Sequence, residues 1–160
     1  MKKIASFLVD HTKLGRGLYI SRVDGDATTY DLRVCVPNGG DYMANPAMHT
    51  IEHLLATYVR DSRWGEQILY AGPMGCRTGF YLITRSMPEQ AVIQLVRDAF
   101  AFIASYEGEI PGNSAAECGN YREHDLADAK RWAARYEEII SEWTPDMLAY
   151  SWHNRQTVQG

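Results

Sequence analysis

Two histidines and a glutamate stand at helical spacing in the first third of the chain. His49 and His53 are four residues apart, and Glu52 directly precedes the second histidine. Residues four apart share one face of an α-helix, so both imidazoles can bind one metal ion while the carboxylate stands beside it as a base. The pattern predicts a metal site with a general base, although the same residues on a solvated helix face would explain it equally well.

The cysteines are candidates for a third metal ligand. A catalytic site of this kind commonly takes three protein ligands and leaves one position open for water or substrate. Cys76 follows a glycine in a turn, and Cys118 precedes Gly119. A thiolate and a carboxylate are both compatible with the histidine pair, and spacing alone does not choose between the two cysteines.

A helix is predicted to carry the two histidines. Asn45 is read as its N-cap and Pro46 as its first residue, a position where proline is favoured. Arg60 lies further along, about 10 Å from His53 at 1.5 Å per residue, where it could hold the far end of a small acidic ligand. The core-facing stripe of this helix consists of Met48, Ile51, Leu55 and Val59.

Short alternating segments predict strands around this helix. Residues 30–36 alternate, which places Asp31 and Arg33 on a polar face together with Cys35, a cysteine that we interpret as packing. Residues 67–71 and 79–84 predict two more strands, with Cys76 in the turn between them. Residues 6–12 predict a short strand or extended arm.

Two further helices are expected in the second half of the chain. Ser86 and Glu89 form a capping-box pattern before a helix, and a long helix is expected to continue to Trp143. Residues 145–160 are a polar tail without an assigned role, in which Trp152 looks exposed. The core positions of these two helices are Val92, Val96, Ala99 and Ile103, then Leu126, Ala129, Ala133, Tyr136 and Ile140.

Length and composition favour one domain and a small soluble partner. The 160 residues are 46% hydrophobic and carry a net charge of -4, which suits a single domain over residues 1–160 with its own core. No long basic cluster indicates nucleic acid or an anionic membrane surface, and no apolar run approaches ~20 residues. The three cysteines form no C-x-x-C pair, so we expect a reducing cytoplasm.

A series of short motifs runs through most of the chain in a specific order. They are residues 6–13, 31–33, 37–38, 49–54, 73–82, 110–111, 118–119, 124–126 and 129–130. In this order they resemble the LuxS family of S-ribosylhomocysteine lyases, the autoinducer-2 synthases, over nearly all of residues 4–143. The expected fold is α+β: a homodimer in which an antiparallel sheet carries helices packed on one face, as a two-layer α/β sandwich.

The resemblance implies a metal-dependent carbon–sulfur lyase. His49, His53 and Cys118 would bind one divalent metal, Fe²⁺ in cells and often Zn²⁺ or Co²⁺ in purified protein. Glu52 and Cys76 would be the acid/base pair. The carbonyl of S-ribosylhomocysteine would move along the ribose until homocysteine leaves and 4,5-dihydroxy-2,3-pentanedione, the precursor of the autoinducer-2 signal, remains.

The resemblance also implies contacts to the substrate. Ser6, His11 and Arg33 would meet the ribose, with Ser6 and His11 reaching across from a second subunit, so that the active sites lie at the interface of a homodimer. Arg60 would help to hold the amino-acid end. For His124 we favour a helix-capping or surface role over support of the metal region.

The chain departs from the family pattern next to Cys76. The family usually carries Asp-x-Ser before Pro-Met-Gly-Cys, and the aspartate contacts the amino group of the substrate; here the residues are Tyr70, Ala71 and Gly72. A tyrosine brings no negative charge to an ammonium. The alternatives are the same chemistry on a related ribosyl thioether, an inverted-motif metallopeptidase, and a non-catalytic metal-stabilised binding domain.

Overall fold

A four-stranded antiparallel sheet forms the centre of the protein, in a computed structural model that describes residues 1–151. Its strands have the order β1-β2-β4-β3. The strands are β1 (Gly17–Asp24), β2 (Ala27–Arg33), β3 (Ile68–Pro73) and β4 (Gly79–Arg85). The helices are α1 (Ala5–Leu8), α2 (Asn45–Asp61), α3 (Glu89–Ala104) and α4 (Leu126–Ile140), with 3-10 turns at Gly65–Gln67 and Pro145–Leu148. Within residues 1–151, no helix is long and apolar enough to cross a membrane.

The core lies between one face of the sheet and the three long helices. On this face Tyr30 pairs with Leu82 and Leu32 pairs with Phe80 across β2 and β4. All four side chains are buried, in one cluster with apolar residues of α2, α3 and α4. The alternation that predicted the strands and the periodicity that predicted the helices therefore meet in one core. The α+β class and the antiparallel sheet are confirmed.

The opposite face of the sheet carries a buried polar group. Asp31 and Arg33 project from β2 on this side and are almost fully buried. Leu148 and Tyr150 are also buried, so these two side chains pack into the fold, whereas residues 145–147 are exposed. The segment predicted as a polar tail therefore carries two buried apolar side chains, and Trp152 lies outside the described residues.

Strand β2 ends earlier than the alternation predicted. The amides of Val34 and Cys35 both donate to the carbonyl of Thr78, at 3.0 and 2.9 Å. Two consecutive amides can reach one carbonyl only where the chain bends, so the strand stops at Arg33 rather than at Val36. Thr78 is thereby fixed against the end of β2.

Helix boundaries differ from the predicted ones by a few residues. The cap of α2 is Ala44, and no side chain bonds to its first turn, so Asn45 is not the N-cap. The capping box at Ser86 is wrong, because its amide donates to the carbonyl of Asp26 at 3.0 Å and its backbone has a φ of 51°. Helix α4 ends at Ile140 rather than Trp143.

The N-terminal segment forms a helical turn instead of the predicted short strand or extended arm. The amide of Phe7 donates to the carbonyl of Ile4 at 3.0 Å, which closes the turn of α1. Phe7 is 70% exposed and Leu8 is 68% exposed. An apolar turn with no cover among residues 1–151 has a free apolar surface.

Candidate functional site

Helix α2 presents the two histidines beside the core. Ile51 and Leu55 on the neighbouring stripe are fully buried, which holds the rotation of the helix about its axis. The rings of His49 and His53 lie with centroids 4.6 Å apart, edge to face. The helical spacing that predicted two convergent imidazoles is confirmed.

Backbone carbonyls fix the tautomers of both histidines. The Nδ1 atom of His49 lies 2.8 Å from the carbonyl oxygen of Glu123, and that of His53 lies 2.8 Å from the carbonyl oxygen of Pro111. A carbonyl only accepts hydrogen bonds, so each Nδ1 carries the proton and each Nε2 keeps its lone pair. This is the arrangement by which proteins orient histidines as metal ligands.

His124 joins these two rings, and its predicted capping or surface role is wrong. Its ring stacks on His49 at 4.1 Å, whereas α4 is capped by Asp125, whose carboxylate accepts from the amide of Asp128. Thr50 donates its hydroxyl to the carbonyl of Pro46 at 2.9 Å, so this oxygen accepts from Nδ1 of His124 at 3.0 Å. Nε2 of His124 therefore carries a lone pair, and it is buried without a partner among residues 1–151.

The environment of His124 keeps its ring neutral. Burial, followed by the repulsion of a positive charge by His49 and His53, lowers the pKa of His124 to about 4. A neutral imidazole with a free lone pair is a metal ligand or a hydrogen-bond acceptor.

Cys118 completes a cluster that fits one metal ion. Its sulfur lies 3.4 Å from Nε2 of His49. The ligand atoms of His49, His53, Cys118 and His124 all lie within 4.8 Å of one another. Imidazole nitrogens with one thiolate suit Zn²⁺ and Fe²⁺ better than Mg²⁺ or Ca²⁺. The lone pairs and the buried, unpartnered Nε2 atom show that the donor set matches such an ion.

Glu52 lies beside the cluster in a cavity of about 260 Å³ that His49 and Pro73 also line. Its carboxylate forms no ion pair with any of residues 1–151. An unpaired carboxylate that opens into a cavity is available to accept or deliver a proton.

Cys76 lies in the turn between β3 and β4, as the sequence predicted. The turn is closed by the amide of Met74, which donates to the carbonyl of Gly79 at 2.9 Å. Cys76 is exposed, and its sulfur lies 3.1 Å from the hydroxyl of Thr78. Cys35 differs, because it is buried and burial raises the pKa of its thiol to about 11. Of these two thiols, only Cys76 is accessible for chemistry, which agrees with the packing role assigned to Cys35.

Comparison with known families decides which of the predicted functions this cluster belongs to. The family model of S-ribosylhomocysteinase (LuxS) matches residues 4–147. The chain belongs to the LuxS family.

Several LuxS relatives named S-ribosylhomocysteine lyase are similar over nearly their whole length. The protein of Desulfotalea psychrophila is 45% identical over 157 residues, which covers 94% of this chain and 99% of the relative. That of Phocaeicola vulgatus is 44% identical over 94% of this chain and 98% of its own length. That of Borreliella afzelii is 46% identical over 94% and 99%.

The residues predicted to contact a substrate are dispersed in this LuxS chain. Ser6 and Tyr70 line a groove of about 400 Å³ that also includes Tyr81, on the face of the sheet opposite the helices. Nδ1 of His11 lies 2.8 Å from the carbonyl of Val9, within its own segment. Arg60 is exposed near the end of α2. The fifth predicted residue, Arg33, is buried in an ion pair with Asp31. None of the five residues lines the cavity beside Glu52.

Tyr70 and Gly72 fit one another in space. A Cβ atom added to Gly72 would lie 2.1 Å from the hydroxyl of Tyr70, so the tyrosine side chain lies across the glycine. Two of the positions that depart from the LuxS pattern are therefore coupled. A side chain at residue 72 requires Tyr70 to move.

Three residues of this region were not identified from the sequence. Thr50 and Thr78 accept hydrogen bonds from His124 and Arg33, respectively, and Tyr150 donates to Asp31 at 2.8 Å. Thr50 stands between His49 and His53, and Thr78 stands two residues after Cys76. Hydroxyl residues within such motifs are the signal that could have singled them out; nothing in the sequence marked Tyr150.

Proposed function

We propose that this protein is a metal-dependent S-ribosylhomocysteine lyase that produces homocysteine and 4,5-dihydroxy-2,3-pentanedione. The observation that carries the proposal is the cluster of three imidazoles and one thiol within 4.8 Å, with the unpaired Glu52 in the adjoining cavity. Proton transfer on a sugar requires a Lewis acid that polarises the carbonyl and a base that takes the proton. The metal ligand set and the neighbouring carboxylate of Glu52 can provide both. Membership of the LuxS family supplies the substrate.

His49, His53 and Cys118 hold one divalent ion in this proposal, with Fe²⁺ as the ion in cells. Nε2 of His124 would then remain as a hydrogen-bond acceptor for a hydroxyl of the substrate. When bound, the ion acts as a Lewis acid that polarises a sugar carbonyl and stabilises negative charge on its oxygen, without a redox change. The three cysteines are free, which fits a reducing cytoplasm.

Glu52 and Cys76 move the protons that shift the carbonyl. Removal of a proton from C2 and its return at C1 convert the C1 aldehyde into a C2 ketone. Removal of a proton from C3 and its return at C2 then move the carbonyl from C2 to C3. Each exchange needs a base that takes the proton and an acid that returns one to the neighbouring carbon, so two groups share the work.

The last step breaks the carbon–sulfur bond. With the carbonyl at C3, removal of the C4 proton forms a double bond between C4 and C5 and expels the sulfur from C5 as the homocysteine thiolate, which takes up a proton. The resulting enol converts to the C4 ketone. Atoms and electrons balance without an oxidant or a second substrate.

A homodimer completes the substrate site in this proposal. Ser6 and His11 reach the ribose from a second subunit, and Arg60 holds the amino-acid end. The side chain of Arg33, expected to meet the ribose within the same chain, is 3% exposed and bonded to Asp31 and Thr78. Supporting the dimer, Phe7 and Leu8 beside Ser6 and His11 are exposed apolar side chains. Such a surface is normally covered in solution.

Tyr70 favours a second candidate substrate. Its side chain is 47% exposed and lies in the groove with Ser6, where it offers a hydroxyl but no charge. A ribosyl thioether whose tail lacks a free ammonium would match this surface with the same chemistry. Neither a peptidase nor a non-catalytic domain accounts for both Glu52 and Cys76.

The decisive experiment measures thiol release from S-ribosylhomocysteine by the metal-loaded protein. We expect release in step with formation of the dione, and its loss in Glu52→Ala and Cys76→Ala variants that retain one metal per chain. Absence of release at high enzyme concentration with full metal occupancy would overturn the proposal. Release only from a thioether without the amino group would establish the second candidate.

A further inference from the structure

A chain of hydrogen bonds connects Cys76 to the buried face of the sheet. The hydroxyl of Thr78 lies 3.1 Å from the sulfur of Cys76. Nη1 of Arg33 donates to this hydroxyl at 2.7 Å. Nε and Nη2 of Arg33 donate to the two carboxylate oxygens of Asp31 at 3.0 and 2.7 Å. The exposed thiol of Cys76 is thus linked to the buried guanidinium of Arg33 through one hydroxyl, that of Thr78.

The direction of this chain is fixed by the guanidinium. Arginine has only donors, so the oxygen of Thr78 accepts from Arg33. The hydroxyl proton of Thr78 is then free to point at the sulfur of Cys76, which must accept. A thiolate is a stronger acceptor than a thiol, and a hydrogen bond to the charged form favours that form.

We propose that Thr78 is a positioning residue that holds Cys76 as a thiolate and transmits the positive charge of Arg33 to it. This role rests on the proposed function, in which Cys76 takes and returns substrate protons. Thr78 is 3% exposed whereas Cys76 is exposed. The sulfur is therefore supported from the protein side and open on the other side to a substrate.

Asp31 and Tyr150 hold the guanidinium in place. The Asp31–Arg33 ion pair has side chains that are 2% and 3% exposed, so removal of either partner leaves a buried charge unpaired. Tyr150 donates its hydroxyl to Asp31 at 2.8 Å. Burial and the Asp31 carboxylate raise the pKa of Tyr150, which keeps it a donor. The C-terminal segment thus supports Cys76 through three intervening side chains.

The hydroxyl of Thr78 can be removed without loosening the backbone. Its carbonyl accepts from the amides of Val34 and Cys35 at 3.0 and 2.9 Å, and these bonds do not involve the side chain. Thr78→Val keeps the shape and deletes the donor. Thr78→Ser keeps the donor and serves as the matched control.

The test measures how fast iodoacetamide alkylates Cys76 in the full-length, metal-loaded protein, resolved by mass spectrometry. At pH 7 we expect Thr78→Val to react about tenfold more slowly than the parent, since hydrogen bonds to charged groups are the stronger class. Thr78→Ser should restore the rate. At pH 10, where thiols ionise without help, the variants should react alike. The value of kcat should fall in parallel with the rate at pH 7, with KM within about twofold.

Equal alkylation of parent and Thr78→Val at pH 7 would overturn the proposal, as would a well-folded Thr78→Ser that stays slow. If thermal melting shows that the valine variant is unfolded, Thr78→Ala provides a smaller variant without the donor, with the same expectations. Failure of the parent to release thiol from S-ribosylhomocysteine would refute the proposed lyase activity, while the alkylation rates would still decide the role of Thr78.

Discussion

Two regions of the molecule differ in how far a single chain fixes their geometry. The metal region comprises the four-residue cluster with Glu52 and Cys76, and the substrate-tail region comprises Ser6, His11, Arg60 and Tyr70. Around the metal cluster, the ring nitrogens of His49 and His53 bond to carbonyls of distant segments. In the turn between β3 and β4, the sulfur of Cys76 lies against the hydroxyl of Thr78. In the other region, the His11 ring bonds to the carbonyl of Val9 within its own segment, and Tyr70 is 47% exposed. The first region is set by packing within one subunit, and the second presents exposed surface.

This difference indicates where the chemistry and the specificity reside. Reacting groups need a geometry fixed before the substrate binds, which buried hydrogen bonds provide. An exposed surface, which the proposed dimer would cover, can change with less effect on the fold. The departures from the LuxS pattern, at Tyr70 and Gly72, lie in the second region, while His49, Glu52 and Cys76 match it.

The largest effect should come from the reacting groups of the metal region. We expect Glu52→Gln to lower kcat by about 10²- to 10⁴-fold, the usual contribution of a general acid or base. The amide keeps the shape but cannot take up a proton. Thiol release measures the rate, and elemental analysis measures the bound metal, which should stay at one per chain because Glu52 is outside the cluster.

Arg60→Ala is the matched control on the same helix. It removes an exposed charge from the substrate-tail region, so it should act mainly on KM. If Glu52→Gln kept kcat within tenfold of the parent, the carboxylate would not be the proton carrier, and the metal region would owe its rate to other groups.

A mixing experiment tests whether the substrate-tail region requires a second subunit. His11→Ala and Cys76→Ala should each be nearly inactive. If His11 acts across the interface, a mixed dimer has one site with both defects and one intact site. Statistical exchange should then restore about a quarter of the parent activity, since half of the dimers are mixed and each has one intact site of two. No recovery after confirmed subunit exchange would place both residues in the same site of one chain.

Sequence reasoning identified most of the metal region because its residues follow local periodicity. The interval between His49 and His53 and the turn around Cys76 are short-range patterns, and the structure places both as predicted. His124 was misread because it comes 71 positions after His53, and only the folded chain stacks it on His49. Tyr150 was missed for the same reason, because its partner Asp31 lies 119 positions away in the sequence. The N-terminal turn is different, since it is closed by a local bond from the amide of Phe7 to the carbonyl of Ile4.

A smaller effect is expected from restoring the charge at residue 70. Tyr70→Asp should lower KM for S-ribosylhomocysteine by about tenfold, which is the low end for a hydrogen bond between charged groups. Tyr70→Phe, which removes only the hydroxyl, is the matched control and should leave KM within about twofold.

Gly72 sharpens the same test. Gly72→Ser alone should weaken binding, because its Cβ would lie 2.1 Å from the hydroxyl of Tyr70, whereas Tyr70→Asp with Gly72→Ser should bind at least as well as Tyr70→Asp alone. An unchanged KM in both aspartate variants would show that residue 70 does not face the amino group.

The smallest expected effect is a change in the reactivity of one cysteine thiol among three when metal binds. This change tests the metal ligand set directly. In metal-free protein at pH 7.5, Cys76 and Cys118 should react with a thiol reagent, whereas Cys35 is buried, with its pKa raised to about 11, and should react only on unfolding. Bound metal should protect Cys118, since a ligated sulfur is not free to attack, and leave Cys76 reactive. Site-resolved mass spectrometry counts these thiols, and His53→Ala should abolish the protection. If Cys118 reacted equally with and without metal, the third ligand would have to be His124, and the metal region would be a three-histidine site.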